Sequence, residues 1–153
     1  MSTDFVIGKI ESLRYVLEED FYPYTVISII ITDVLQQSNG IHIGDKIDVI
    51  VMGGVFPLRG YIERYDMWYR FLDFNESEIN AGVVRMDPPK LFDRNIGSSC
   101  MFFLLPCNRP NESSFEAILA LDQLGENSFL ARTNEEEVKY SRLEIEAEIR
   151  KLH

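Results

Sequence analysis

Histidine is nearly absent from this chain. His42 and His153 are the only two, so neither a histidine general base nor a histidine-rich metal set has material to form from. Cysteine is equally scarce. Cys100 and Cys107 flank the run Met101 to Pro106, and in an extended strand seven steps of about 3.3 Å put them far outside disulfide reach. Two thiols without a C-x-x-C context suit a reducing compartment. Positive charge is short as well: fifteen lysines and arginines face twenty-five acidic residues, a formal charge of −10. Such a field repels phosphate backbones and anionic lipid, so nucleic acid is not the expected partner. No apolar run approaches the roughly 20 residues of a membrane span, and Met1-Ser2-Thr3-Asp4-Phe5 has no basic, signal-like start. These absences predict a soluble protein, cytoplasmic as the chain stands, or of the cell envelope if an export signal has been removed.

What is present is a globular share of apolar residues, 46% of 153, which suits a single domain over residues 1–153 with one core. Phe5 to Leu17 alternates and then changes phase, the pattern of one long strand bent near Gly8. Tyr24 to Leu35 and Ile41 to Met52 are rich in β-branched residues and flank the polar stretch Gln36 to Gly40, which predicts paired antiparallel strands. The almost unbroken apolar middle of the first predicts a central strand buried on both sides. Gly44-Asp45 marks a turn, and Gly53-Gly54 ends the ladder. Asn75 to Asn80 reads as a polar loop, and a short strand is expected at Ala81 to Met86, stopped by Asp87-Pro88-Pro89. Phe92 to Ser99 leads into a uniformly apolar strand, Cys100 to Leu105, ended by Pro106. Cys107 to Ser114 reads as a surface loop before a hairpin of Phe115 to Leu121 and Phe129 to Arg132.

The tail supports two periods. Leu143, Ile145, Ala147 and Ile149 alternate with glutamates as in a strand, but Ser141-Arg142-Leu143-Glu144 matches a capping box and Arg150-Lys151 suit a helix C-terminus, so a helix is expected over about residues 141–152. Glu135-Glu136-Glu137 before it reads as a solvated loop. Six or seven strands and one terminal helix argue for a mainly β fold, a small antiparallel barrel or a sandwich.

The strand order resembles that of bacterial proteins, mostly uncharacterised, with an OB-like barrel related to netrin and tissue-inhibitor-of-metalloprotease (NTR/TIMP-like) domains. The matching stretches are Asp4 to Ile10, Tyr24-Thr25-Val26 with Asp33-Val34-Leu35, Ile43 to Val49, Met52-Gly53-Gly54, Ile96-Gly97 before Met101 to Leu104, and the tail Leu143 to Lys151. The resemblance implies a small antiparallel OB-like β-barrel of five strands, an inserted β segment over about residues 55–90, a short C-terminal α-helix, and binding rather than catalysis. The inhibitors' N-terminal cysteine has no counterpart near Met1, so their inhibitory mechanism does not carry over.

The candidate site lies in the insert. Val55 to Phe74 holds seven aromatics in twenty residues, interleaved with Arg59, Arg64 and Arg70. Tyr61, Arg64, Tyr65, Trp68, Tyr69, Arg70 and Phe71 have the composition of a binding hot spot, but the favoured reading of the segment is structural, two strands covering a barrel end with alternate aromatics buried. No catalytic constellation is present. His42-x-x-Asp45-x-x-Asp48 is better read as a turn residue and a strand's solvent face than as a metal set, and no cofactor is expected. The sequence thus predicts a non-enzymatic module that binds a protein or peptide through the insert or an exposed sheet edge, the edge also allowing a homodimer. The alternative is an OB-type binder of oligosaccharide or single-stranded nucleic acid, stacking on Tyr61, Tyr65 and Trp68.

Overall fold

A computed structural model describes residues 3–18, 22–86, 96–109, 112–132 and 137–151. Two thirteen-residue strands lead the fold, β1 (Asp4–Val16) and β2 (Tyr24–Gln36), paired antiparallel from Phe5 opposite Gln36 to Val16 opposite Tyr24. The expected bend in β1 is present, with register shifts at Phe5/Val6, Ile7/Gly8 and Ile10/Ser12. Gly8 has a second reason to lack a side chain: a Cβ there would stand 2.9 Å from Ile29 Cδ1, so the Ile29 side chain would have to shift.

β3 (Lys46–Met52) pairs antiparallel with β2, and a polar loop and a turn at Ile43-Gly44 join the two. Buried Asp4 holds this loop, its carboxylate accepting from the Ser38 and Asn39 amides at 2.6 and 3.2 Å and from the Asn39 side chain. β6 (Ser99–Arg109) lies on the other side of β1, followed by β7 (Glu112–Gly125), β8 (Ser128–Arg132) and β9 (Glu137–Ser141) in the order β3-β2-β1-β6-β7-β8-β9. The helix α3 (Arg142–Lys151) follows at once, and its capping box is formed as expected: the Ser141 hydroxyl accepts from the Glu144 amide, and Glu144 accepts from the Ser141 amide, both at 3.2 Å.

The expected OB-like barrel is overturned. β3, β2, β1, β6 and β7 form a hydrogen-bonded ring, but the sheet does not close into a barrel. The link completing the ring is parallel and spans only Val49 with Phe115 and Ile50 with Glu116. Beyond it β7 pairs with β8, and β8 with β9, so the sheet is mixed and continues as an antiparallel flange. The resemblance to the NTR/TIMP-like group falls with the barrel.

Side chains of alternate parity feed two cores. Val6, Ile10, Ile29, Val49, Phe102 and Leu104 face into the curl of the ring, while Phe5, Ile7, Met101, Leu121 and Phe129 face outward and are covered by Ile145 and Ile149 of α3. Burial on both faces is why Cys100 to Leu105 reads as a continuous apolar run. β2 is an inner strand, as expected, but is buried on both faces only near Tyr24 and Val26. Farther on, Ser28 and Ile30 are half-buried and Thr32 is exposed.

Other expectations change in detail. Pro106 does not end its strand, which runs on to Arg109 in a hairpin opposite Glu112; Pro106 pairs with Phe115. Cys107 to Ser114 therefore belongs largely to that hairpin. Glu137 opens β9 instead of lying in a loop. Cys100 and Cys107 are unbridged, in line with their spacing. The stop at Asp87-Pro88-Pro89, the lead-in Phe92 to Asn95, and Glu135-Glu136 lie outside the described residues.

Candidate functional site

The insert is where the sequence expectation changes most. The chain leaves β3 into β4 (Gly54–Pro57), which pairs with β5 (Val83–Met86) as a separate two-stranded ribbon. Between them lie α1 (Leu58–Tyr65), a 3-10 turn at Trp68–Arg70 and α2 (Glu76–Ala81). The aromatic segment is therefore helical, not an inserted pair of strands. Its period is 3.6: Leu58 and Ile62, one turn apart, bury their side chains with Ile79, and half-buried Phe71 and Val84 complete this small core.

Asn75 to Asn80 is α2 rather than a loop. Asn75 caps it, accepting from the Glu78 amide at 2.9 Å while Glu78 accepts from the Asn75 amide at 3.1 Å. Gly82 closes the unit, its carbonyl accepting from the Leu58 amide at 2.9 Å. A Cβ at Gly82 would sit 2.7 Å from Leu58 Cδ2. The insert is tied to the long ribbon of β1 and β2 by Arg64, whose Nε donates to the Leu17 carbonyl at 3.0 Å, by Thr25 donating to the Gly53 carbonyl at 3.0 Å, and by the edge of Tyr15 on Phe56 at 6.2 Å.

The seven predicted site residues divide by surface. Tyr61 and Tyr65, one turn apart on α1, are half-buried with ring centroids 5.3 Å apart. Burial pushes the Tyr65 phenol above its usual range, against the opposing pull of Arg64. Phe71 belongs to the insert's core, with Phe74 standing edge-on to it at 5.3 Å. Trp68, Tyr69 and Arg70 point outward, the two rings 38% and 64% exposed. Arg70 lies over Tyr69 at 5.8 Å, and Arg59 over Trp68 at 5.9 Å.

Three participants lie outside the seven predicted site residues. Leu72 is 80% exposed and Phe74 43%, extending the apolar surface of Trp68 and Tyr69. Arg59 orders that surface from below: it donates to Asn80 at 2.6 Å, pairs with Glu76 and reaches Glu63 at 3.4 Å while stacking on Trp68. The spacing of Arg59 and Glu63, four apart, was a helix signal. Asp66, Asp73, Glu76 and Glu78 are exposed on the same unit, more acids than the exposed Arg64 and Arg70 balance.

A concave site elsewhere in the fold was invisible in the sequence. α3 packs on the outer face of the sheet through Ile145 and Ile149, and along its flank runs a half-open pocket of about 600 Å³ lined by Phe5, Phe103, Leu121, Ala147 and these two isoleucines. Arg142 holds the start of the helix to β2 through Asp33 at 2.6 Å and braces Glu146 at 2.9 Å, contacts that raise its pKa further.

The His42, Asp45 and Asp48 trio does not converge as a ligand set. The Asp45 carboxylate accepts from the His42 amide at 2.8 Å, closing the turn, and Asp48 accepts from Ser28 at 2.6 Å on the sheet surface. Among the described residues no group of three or more histidine, cysteine, aspartate or glutamate side chains is placed to hold a metal ion, and no helix is long and apolar enough to cross a membrane. Compared with known proteins, the chain matches no family model and no curated sequence.

Proposed function

We propose that this chain is a non-catalytic binding module whose partner is a protein or peptide that docks on the outer surface of the insert. The observation that carries the reading is the placement of Trp68, Tyr69, Leu72 and Phe74, four large side chains exposed within seven residues. The insert has its own core in Leu58, Ile62 and Ile79, so these exposed rings are not needed to build it. Rigid aromatics beside arginine are the side chains that dominate binding energy at protein interfaces. The exposed acids Asp66, Asp73, Glu76 and Glu78 favour a segment that pairs apolar residues with lysine or arginine. Stacking of sugars or bases is less well served, because a guanidinium already lies over Trp68 and another over Tyr69.

The test is selection of displayed random peptides on the whole chain, followed by titration of each selected peptide against the fluorescence of Trp68, the sole tryptophan. The expected result is basic, apolar peptides that shift Trp68 emission and bind at least about tenfold more weakly to Tyr69→Ala and Leu72→Ser, both folded by circular dichroism. Selected peptides that bind these variants as tightly as the parent chain, or a selection that yields none, would overturn the reading.

A further inference from the structure

The half-open pocket along α3 is separate from the insert, and the geometry points to it as a site for a small amphiphilic amine, a compound with a hydrocarbon body and one ammonium head. Its volume of about 600 Å³ lies within the range of small-molecule sites, which are mostly apolar with a few placed polar groups. Most of its lining is apolar, with Phe5, Phe103 and Leu121 from the sheet and Ile145 and Ile149 from the helix. Among the described residues that line it, the charged ones are Glu144 and Glu148, one helical turn apart on α3, and none is a lysine or arginine.

That arrangement selects the head group by sign. A carboxylate or phosphate head would meet two carboxylates, whereas an ammonium gains a counter-ion for the same hydrocarbon burial. Both glutamates are available to it. Glu144 uses Oε1 in the helix cap, leaving Oε2, and the Glu148 pair with Lys151 at 3.0 Å is exposed on both sides, a pair that water and salt already weaken.

Three probes of equal chain length separate the possibilities: octylamine, octanoate and 1-octanol, titrated calorimetrically into the intact chain at fixed ionic strength. Octylamine is expected to bind one per chain and to shift the methyl resonances of Ile145 and Ile149, leaving that of Leu72 in place. Octanoate and octanol are expected to bind at least tenfold more weakly. Ala147→Phe, which fills the pocket, should abolish octylamine binding, and Glu148→Gln should weaken it several-fold. Ala131→Leu, filling from β8, replaces Ala147→Phe if that variant does not fold. Because any cation is drawn to a chain of charge −10, undiminished octylamine binding by a folded, pocket-filled variant overturns the proposal. Equal binding of octanoate or octanol, or no binding of octylamine, overturns it as well.

Discussion

α3 and the insert each add helix to one sheet, yet they are held by opposite means. α3 has no core of its own: Ile145 and Ile149 reach down to Phe5, Ile7 and Phe129, Arg142 ties it to Asp33, and a half-open pocket remains along its flank. The insert is closed on itself around Leu58, Ile62 and Ile79 and touches the long ribbon through a few polar and aromatic contacts. An element with its own core can leave aromatics in solvent without losing its fold. An element that borrows the sheet's core leaves free volume wherever its side chains do not reach. The two candidate surfaces, one convex and one concave, follow from that difference.

The sharpest way to break the comparison is Ile62→Ala. Ile62 is fully buried at the centre of the insert's core, and removing such a side chain costs about 2–5 kcal/mol. Hydrogen exchange should show residues 58–82 losing protection while β1 and β6 keep theirs. Uniform loss across the sheet would show that the insert is not a self-supporting unit.

Arg142→Gln probes the other side with a smaller effect. The variant removes the ties to Asp33 and Glu146, but these groups are about a quarter to a third exposed, and a cation in the first turn opposes the helix dipole. A loss of about 1 kcal/mol or less is expected in denaturant unfolding, with faster exchange confined to α3. Exchange that also quickens in the insert would tie together the two regions contrasted above.

Much of this architecture was legible. Alternation with a change of phase marked β1, runs of β-branched residues about a polar stretch marked β2 and β3, and α3 was readable because a capping box, good helix formers and a basic end agree over ten residues. The box at Asn75 and Glu78 has the same chemistry, but only six helical residues follow and no periodic stripe fits in so short a span. α1 concealed itself further. Pro57 precedes it without a side-chain cap, Gly60 lies inside it, and Asp66 ends it in a left-handed conformation where glycine would have been the signal. The failure of the sheet to form a barrel goes with the place where β7 changes partners from β3 to β8. That choice rests on contacts distant in sequence, and no local pattern encodes it.

The smallest expected effect concerns Tyr65, at the joint between insert and ribbon. Its phenol is held above the usual value near 10 by burial, so the folded chain keeps the proton more tightly than the unfolded chain does. By linkage, the stability it contributes is fully present below the unfolded pKa and is lost as pH rises through the folded one. Lysines titrate in the same range, so the parent chain alone does not isolate the group. The comparison with Tyr65→Phe does: unfolding midpoints of the two should run parallel from pH 7 to about 9, and above that the parent should fall faster. Curves that stay parallel through the alkaline range would mean that Tyr65 is as well solvated in the folded chain as in the unfolded one, and that the joint between insert and ribbon is open to water.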